Sequence, residues 1–364
     1  MFDIQKLNKI SPVINAVFDE KYNLTENADN PDGILVRSAN MADYEVKDRL
    51  LAIARAGAGV NNIPVAEMAK KGVVVFNTPG ANANAVKELV ILAMLLASRD
   101  VIGGNKWVNG LTENVAKTTE KGKSAFAGHE IFGKTLGIVG LGAIGKLVAK
   151  SAYALGMNVI GYDPFLTEKV KKELPFVKCG SFEETVKNAD IITLHVPLTD
   201  ETKNMINAKV IDSMKDSAII INMARGALVN ASDVKSALKC GKISKYVVDF
   251  PDEETINVEN IIAIPHLGAS TEEAEDNCAV MAGKQLVDYI ENGNIVNSVN
   301  YPGLTKDRTG KVRTCVLFNA CDKDKIDEIK GDKAVAVKGD YGYAIIDSDE
   351  EIKADFAIGT RYIR

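Results

Sequence analysis

The chain has 364 residues, of which 46% are hydrophobic and 26% are charged, and its formal net charge is −5. A single hydrophobic core rarely organises this many residues, so two or three domains of a globular protein are expected. The acidic balance argues against a nucleic-acid partner, and no apolar run is long enough for a membrane span.

The first residues show no signal-peptide pattern, so a cytoplasmic protein is expected. The five cysteines are scattered and form no C-x-x-C pair, so neither disulfides nor a metal site is expected.

Short apolar runs predict strands at 34–37, 51–55 and 73–77, and the segments 41–49 and 63–72 between them are helical in composition. This alternation predicts a small α/β domain with a parallel sheet. Its loops at 37–40 and 57–61 directly follow strands. Ligands bind at that edge of open parallel sheets, so these loops are candidate binding segments.

Residues 84–99 predict a long helix that is apolar nearly all round and must be buried between domains or at a subunit interface. We therefore expect a homodimer or homotetramer built partly on this helix. The polar stretch 105–128 looks flexible and carries Lys117, Lys121 and Lys123.

The strongest pattern lies in residues 135–163, TLGIVGLGAIGKLVAKSAYALGMNVIGYD. It predicts a strand, a G-x-G-x-x-G turn, a helix, a second strand and a terminal acid. Gly140 permits the turn, Gly142 lets a pyrophosphate approach the backbone, and Gly145 lets the helix pack on the strand. The helix N-terminus attracts the diphosphate, and Asp163 is placed to accept hydrogen bonds from a ribose diol. A carboxylate there repels a 2′-phosphate, which favours NAD over NADP.

Alternating helices and strands continue to residue 265, giving six predicted strands from 135 onward, the number in a doubly wound dinucleotide domain. Asn230 is the predicted N-cap of a helix over 231–239. A capping box at 270–273 begins a helix of about twenty residues. We expect that helix to return the chain to the first domain, so that 94–270 is inserted between 1–93 and 271–301.

The last segment, 304–364, predicts a separate small module of β-α-β-β-(α)-β order. Its short, charged helix offers no obvious amino-acid pocket, which favours a role in the subunit interface over ligand binding.

Each of the three histidines can be weighed by its neighbours. His129 lies in a polar loop and is expected to be solvated. His195 ends an apolar strand and either lines the cofactor cleft or is structural. His266 lies between Pro265 and a glycine at a domain junction, where an imidazole with a pKa near neutrality suits acid–base chemistry on a hydroxyl.

Two kinds of side chain that could act together with His266 lie just after other predicted strands. Arg225, flanked by small residues, suits a carboxylate clamp. Asp252, Glu253 and Glu254 form an acidic cluster that either orients the imidazole or is a solvated loop.

Taken together, the segments GKTLGIVGLGAIGK, GYDP, NMARGALVN and IPHLGAST resemble the D-2-hydroxyacid dehydrogenase family, in the family's order. The resemblance covers about residues 33–300. It implies two doubly wound α/β domains, a flavodoxin-like substrate domain with an inserted Rossmann domain, followed here by a small α+β module. It also implies catalytic roles for Arg225, Glu253 and His266. Implied NAD contacts, besides the three glycines and Asp163, are Ala143, Ile144, Pro197, Thr202, Met223 and Asp249.

LVRSA at 35–39, RAGAGVNNI at 55–63 and NTPGANANAVKEL resemble the branch of the family that acts on 3-phospho-D-glycerate. This implies NAD-linked oxidation to 3-phosphohydroxypyruvate, the first step of serine biosynthesis. The alternatives are a dehydrogenase for glyoxylate, hydroxypyruvate or D-lactate, and an NAD-sensing corepressor on the same scaffold. The implied substrate contacts are Arg37, Arg55, Gly57, Ala58, Gly59, Val60 and Lys123.

Two features depart from the family pattern. Asp249, the aspartate expected near the nicotinamide amide, is one place late, and the proline after the catalytic glutamate is absent, so Glu254 is an alternative to Glu253. The tail resembles a regulatory βαββαβ domain but is shortened, so serine binding by it stays an alternative to the interface role.

Overall fold

The computed structural model describes all 364 residues, which form two compact units. Unit 1 comprises Met1–Asn82 and Glu272–Arg364, and unit 2 comprises Ala83–Thr271. The first border therefore lies before the long apolar helix, whereas the sequence analysis placed it near residue 93, within that helix. The C-terminal segment belongs to unit 1.

Unit 1 begins with a five-stranded parallel sheet and helix α1 (Val65–Lys70). The strand order β2-β1-β3-β4-β5 is flavodoxin-like and confirms the predicted fold class. The strands are β1 (Phe2–Lys6), β2 (Tyr22–Thr25), β3 (Gly33–Val36), β4 (Ala52–Arg55) and β5 (Val74–Phe76).

Two features of this half were not predicted correctly. Strands β1 and β2 were missed, because each buries only one side chain fully, Ile4 in β1 and Tyr22 in β2. The predicted helix over 41–49 is wrong, since that segment forms turns. Met41 donates its backbone N–H to the Asn62 carbonyl, and its side chain is buried.

Unit 2 opens with three helices, α2 (Ala83–Ser98), α3 (Val101–Asn109) and α4 (Val115–Gly122). The stretch 105–128 is therefore largely helical, and the expectation of a flexible segment is wrong. Helix α2 buries one face, but Leu92 and Leu95 on its other side remain 47% and 46% exposed.

The rest of unit 2 is a parallel seven-stranded sheet of order β12-β11-β10-β9-β6-β7-β8. Its strands are β6 (Thr135–Val139), β7 (Asn158–Tyr162), β8 (Val177–Cys179), β9 (Ile191–Leu194), β10 (Ala218–Asn222), β11 (Ile243–Val248) and β12 (Ile261–Ala263). The helices are α5 (Ala143–Ala154), α6 (Glu168–Glu173), α7 (Phe182–Asn188), α8 (Ala208–Ser213) and α9 (Ala231–Lys239).

Apolar side chains cover both faces of this sheet, so the predicted doubly wound arrangement is confirmed. The expectation of six strands is wrong by one, because β8 has only three residues and only Val177 buried.

The chain returns to unit 1 through α10 (Glu272–Asn292) and ends in an antiparallel sheet of order β14-β15-β13-β16. Its elements are β13 (Val312–Asn319), α11 (Lys323–Glu328), β14 (Asp332–Lys338), β15 (Tyr341–Ser348) and β16 (Gly359–Ile363). The optional second helix does not form, and turns occupy 349–358. One face of the sheet packs with Ile326 of α11, and the other joins the core of unit 1.

Side chains from this last sheet cap the C-terminus of α10. Arg361 donates to the carbonyls of Ile290 and Tyr289 at 2.6 and 2.5 Å and lies over the Tyr289 ring. Arg313 donates to Asn292 O at 2.8 Å, and the Tyr343 hydroxyl donates to Gly293 O at 2.5 Å. The last carbonyls of a helix lack partners within it, so the C-terminal sheet supplies them here. None of the helices is long and apolar enough to cross a membrane.

Candidate active site

The glycine-rich turn joins β6 to α5, and the surroundings of its three glycines differ. Gly140 has φ +97°, and a Cβ there would lie 2.5 Å from the His195 carbonyl oxygen. A Cβ on Gly145 would lie 1.9 Å from the Gly140 oxygen, so only glycine permits this helix–strand approach. At Gly142 a Cβ would meet nothing within 4 Å. The turn thus leaves open space beside the N-terminus of α5, where a diphosphate fits.

Asp163 follows β7 and is tied to the same turn. One carboxylate oxygen accepts the Leu141 N–H at 2.8 Å, and the other accepts the Phe165 N–H at 2.8 Å. A carboxylate has about four lone-pair positions, so acceptor capacity remains for a ribose diol. Of the residues expected at the start of α5, Ala143 is exposed and Ile144 packs partly into the core.

Three further expected cofactor residues lie beyond neighbouring strands of this sheet. The Thr202 hydroxyl donates to the Pro197 carbonyl at 2.7 Å, which closes the loop after β9. Met223 directly follows β10 and is 5% exposed.

His195, which precedes Pro197, bonds through Nε2 to the Thr193 hydroxyl at 3.0 Å, while its buried Nδ1 has no partner. Burial lowers the pKa of His195 to about 3, so this imidazole stays neutral.

Arg225 and His266 approach the same aromatic ring. The Arg225 guanidinium carbon lies 5.2 Å from the Phe250 ring centre, and the His266 ring centre lies 4.2 Å from it. The arginine also donates to the Ala224 carbonyl at 2.7 Å. Buried Asn222 shapes this loop, donating to Arg225 O and accepting from Ala224 N–H. Unit 2 thus places a guanidinium and an imidazole on one ring at the carboxyl edge of its sheet.

Asp249 holds the loop that carries His266. Its carboxylate is 1% exposed and accepts the N–H groups of Leu267 and Gly268 at 2.7 and 2.9 Å. Burial raises the pKa of Asp249, and these two N–H groups oppose that rise. The sequence identified Asp249 but did not indicate this bond to the histidine loop, which links β11 to the segment after β12.

The acidic cluster after Phe250 separates into three environments. The Asp252 carboxylate accepts the Thr255 hydroxyl at 2.8 Å in a local turn. Glu254 pairs with Lys235 of α9. Glu253 is exposed and forms no hydrogen bond or ion pair, and none joins it to His266. Of the three carboxylates, Glu253 is therefore the one without a hydrogen-bond or ion-pair partner.

In unit 1 the expected substrate residues gather at the carboxyl ends of β3, β4 and β5. The Arg55 Nε donates to the Arg37 carbonyl at 3.1 Å, and the Arg55 guanidinium packs on Gly57. The carbonyls of Gly57 and Ala58 accept from Thr78 and Asn77, while Val60 accepts the Ile63 N–H. Gly59 lies in the same loop.

Two of the residues expected to contact the substrate have partners that were not expected. The Arg37 side chain pairs with Glu275 of α10 at 2.6 Å, a partner that the sequence analysis missed. Lys123, expected as a substrate contact, lies in unit 2 and pairs with Glu120 one turn earlier at 2.5 Å. The spacing of Lys123 and Glu120 on the predicted stretch was a usable signal for that pair.

Residues 91–268 match the model of the D-isomer specific 2-hydroxyacid dehydrogenase, NAD binding domain. The hydroxypyruvate reductase of Thermotoga maritima is 36% identical over 296 residues, which cover 78% of this chain and 92% of that protein. The chain belongs to this family. Unit 2 contains its NAD-binding domain, as the glycine geometry also indicates.

Among other members of the 2-hydroxyacid dehydrogenase family, the D-3-phosphoglycerate dehydrogenase of Methanocaldococcus jannaschii is 36% identical over 324 residues, covering 86% of this chain and 60% of that protein. This chain spans 52–60% of the length of three such relatives. The NAD-complexed D-isomer specific 2-hydroxyacid dehydrogenase of Lactobacillus delbrueckii superposes with a TM-score of 0.64 at 22% identity, covering 82% of this chain and 99% of that one. That likeness shows the fold.

Proposed function

We propose that this family member is an NAD-dependent dehydrogenase that oxidises 3-phospho-D-glycerate to 3-phosphohydroxypyruvate, the first step of serine biosynthesis. The observation that carries the substrate choice is the pair of arginines at the strand ends of unit 1, Arg37 and Arg55. A phosphate ester needs more cationic partners than a simple hydroxy acid, and guanidinium groups bind phosphate oxygens in a bidentate manner.

Chemistry on the hydroxy acid is assigned to unit 2. His266 takes the proton of the C2 hydroxyl as that oxygen becomes a carbonyl. Arg225 binds the substrate carboxylate and polarises the C2 oxygen, while Phe250 holds the two side chains at fixed positions. Glu253 stabilises the charged imidazole. NAD, when bound, accepts the hydride that leaves C2.

The coenzyme contacts proposed for this reaction are the turn from Gly140 to Gly145, Asp163, the loop from Pro197 to Thr202, Met223 and Asp249. Gly57, Ala58, Gly59 and Val60 are proposed to contact the substrate. The residues near the turn suit NAD rather than NADP, since a second phosphate would meet the Asp163 carboxylate.

A second candidate is reduction of hydroxypyruvate, which the Thermotoga maritima relative favours by its high coverage. In that case the arginines of unit 1 would serve a smaller substrate that lacks the phosphate.

Turnover on a panel of 3-phospho-D-glycerate, D-glycerate, hydroxypyruvate, glyoxylate and D-lactate, followed by NADH absorbance, separates the two. We expect the phosphorylated acid to have the highest kcat/KM. Replacing His266 with Ala should lower kcat by about 10²–10⁴, the usual effect of losing a general base. Equal rates with and without the phosphate, or a fully active His266 variant, would contradict the proposal.

A further inference from the structure

One helix face of unit 1 borders the two arginines. Arg37 follows β3 and Arg55 ends β4, so both lie at the carboxyl edge of neighbouring parallel strands. In the first turns of α10, Glu275 pairs with Arg37 at 2.6 Å. Cys278 is three residues further on and therefore lies on the same helix face. Burial raises the pKa of the Cys278 thiol, and the charges of both arginines oppose that rise.

An unpaired hydroxyl lies in the same region. Thr78, just after β5, is fully buried, and its Oγ1 has no hydrogen-bond partner. The Thr78 hydroxyl also interacts with the Cys278 thiol, and this interaction lowers the pKa of the thiol. Buried polar atoms nearly always have partners, so this hydroxyl has hydrogen-bonding capacity left for an oxygen of a bound anion.

Glu275 pairs with Arg37, and the pair is open to solvent. Its two side chains are 38% and 39% exposed. Ion pairs of such exposure are weak, so a ligand of higher charge can exchange for the carboxylate. A phosphate monoester carries about −1.5 to −2 charges at neutral pH, more than Glu275.

We propose that Glu275 is a specificity-determining residue, which holds Arg37 in the free protein and competes with the substrate phosphate for it. This proposal deepens the proposed function and rests on it for the identity of the phosphorylated substrate. A phosphorylated acid must displace Glu275 from Arg37, whereas D-glycerate leaves the pair intact. Glu275 therefore sets how strongly the site distinguishes a phosphate ester from a free hydroxyl.

The test compares Glu275→Gln with Glu273→Gln in the full chain. Glu273 lies in the same helical turn, is exposed, and makes no ion pair with Arg37, so its variant is a matched control for the loss of one charge. KM and kcat are measured on 3-phospho-D-glycerate and on D-glycerate. We expect E275Q to lower KM for the phosphorylated acid about five- to tenfold, the effect of removing one like charge a few ångströms away, with KM for D-glycerate unchanged. E273Q should leave both values unchanged.

A rise in KM for the phosphorylated acid would overturn the proposal, because Glu275 would then be orienting Arg37 for binding. No change, an equal change for both acids, or the same fall in E273Q would overturn it too.

A second measurement does not depend on turnover. The thermal midpoint is recorded with increasing inorganic phosphate and no coenzyme, and phosphate should raise it more in E275Q than in the wild-type chain. Equal shifts in the two proteins would contradict competition at Arg37. If the wild type oxidises neither acid, the proposed function is wrong. The thermal midpoints still decide whether Glu275 competes with phosphate for Arg37.

Discussion

The carboxylate of Asp249 accepts the backbone N–H of Leu267 at 2.7 Å, and the residue before Leu267 is His266. His266 itself has φ +51°, in the left-handed region that non-glycine residues rarely adopt. Such a conformation persists only where its surroundings enforce it. The buried Asp249 provides that restraint from the end of a neighbouring strand, so it acts on the histidine through the backbone.

Replacing Asp249 with Asn should loosen this loop. An amide keeps one acceptor oxygen, so one of the two N–H groups at Leu267 and Gly268 loses its partner. We expect a stability loss of about 1–3 kcal/mol and a fall in kcat of up to about 100-fold through misplacement of His266. Urea unfolding and steady-state kinetics check both, with Asp212→Asn, an exposed residue of α8, as the control. An unchanged kcat would show that the loop keeps its geometry without the carboxylate.

Replacing Asp163 with Ala should weaken binding of NAD. The change removes the proposed ribose acceptor and also frees the Leu141 N–H in the glycine-rich turn. Hydrogen bonds to charged groups contribute about 1.5–3 kcal/mol each, so Kd for NAD should rise at least about tenfold. Isothermal titration calorimetry measures this, with Asp212→Ala, an exposed residue of α8, as the control. Equal affinity in the D163A variant would remove Asp163 from the coenzyme site.

The segments that the sequence predicted best are those with a glycine or a capping residue near their ends. Strand β6, helix α5 and strand β7 form in the order predicted for residues 135–163, because glycines delimit their apolar runs. Asn230 accepts the Asp233 N–H as an N-cap, also as predicted.

Relationships between distant segments had no such signal. The Arg37–Glu275 pair, the bond from Asp249 to Leu267 and the capping of α10 by Arg361 each join residues from different elements. Each depends on how the sheets and α10 pack, which periodicity and capping patterns do not specify. The same limit explains the segment 41–49, where burial of Met41 overrides a helical composition.

His195 predicts a distinct pH dependence of stability. Burial lowers its pKa to about 3 in the folded chain, below the unfolded value of about 6.5. The unfolded chain therefore binds a proton that the folded chain does not, and stability falls as the pH drops from about 6.5 towards 3. His195→Asn should show a shallower loss between pH 6.5 and pH 5 in urea titrations. Parallel curves for the variant and the wild type would contradict a neutral imidazole at this position.

Asp347 predicts a second change of folding stability with pH, in a more acidic range. Its side chain is fully buried; burial alone raises its pKa, but hydrogen bonds from Arg313 and Lys306 outweigh this and hold the pKa well below the usual range. The stabilisation is present above the unfolded pKa of about 3.9 and is lost as the pH falls through the lowered folded value. Asp347→Asn leaves buried Arg313 without its partner, so we expect a loss of about 3–5 kcal/mol at pH 7.

The difference between wild type and D347N should shrink below about pH 4, as the wild-type carboxylate takes up its proton in the unfolded chain. Asp349→Asn, at an exposed pair with Lys311, is the control and should change stability little. A constant difference across the acidic range would show that the Asp347 charge contributes nothing to folding.

The most direct test of the account is to follow the hydrogen at C2 of the substrate. The full chain is incubated with NAD and 3-phospho-D-glycerate carrying deuterium at C2, and the reduced coenzyme is analysed by mass spectrometry. We expect one deuterium per reduced coenzyme, a slower rate than with the unlabelled acid where hydride transfer limits turnover, and loss of the reaction in His266→Ala. Reduced coenzyme without deuterium, or no reduction of NAD by this acid, would contradict it.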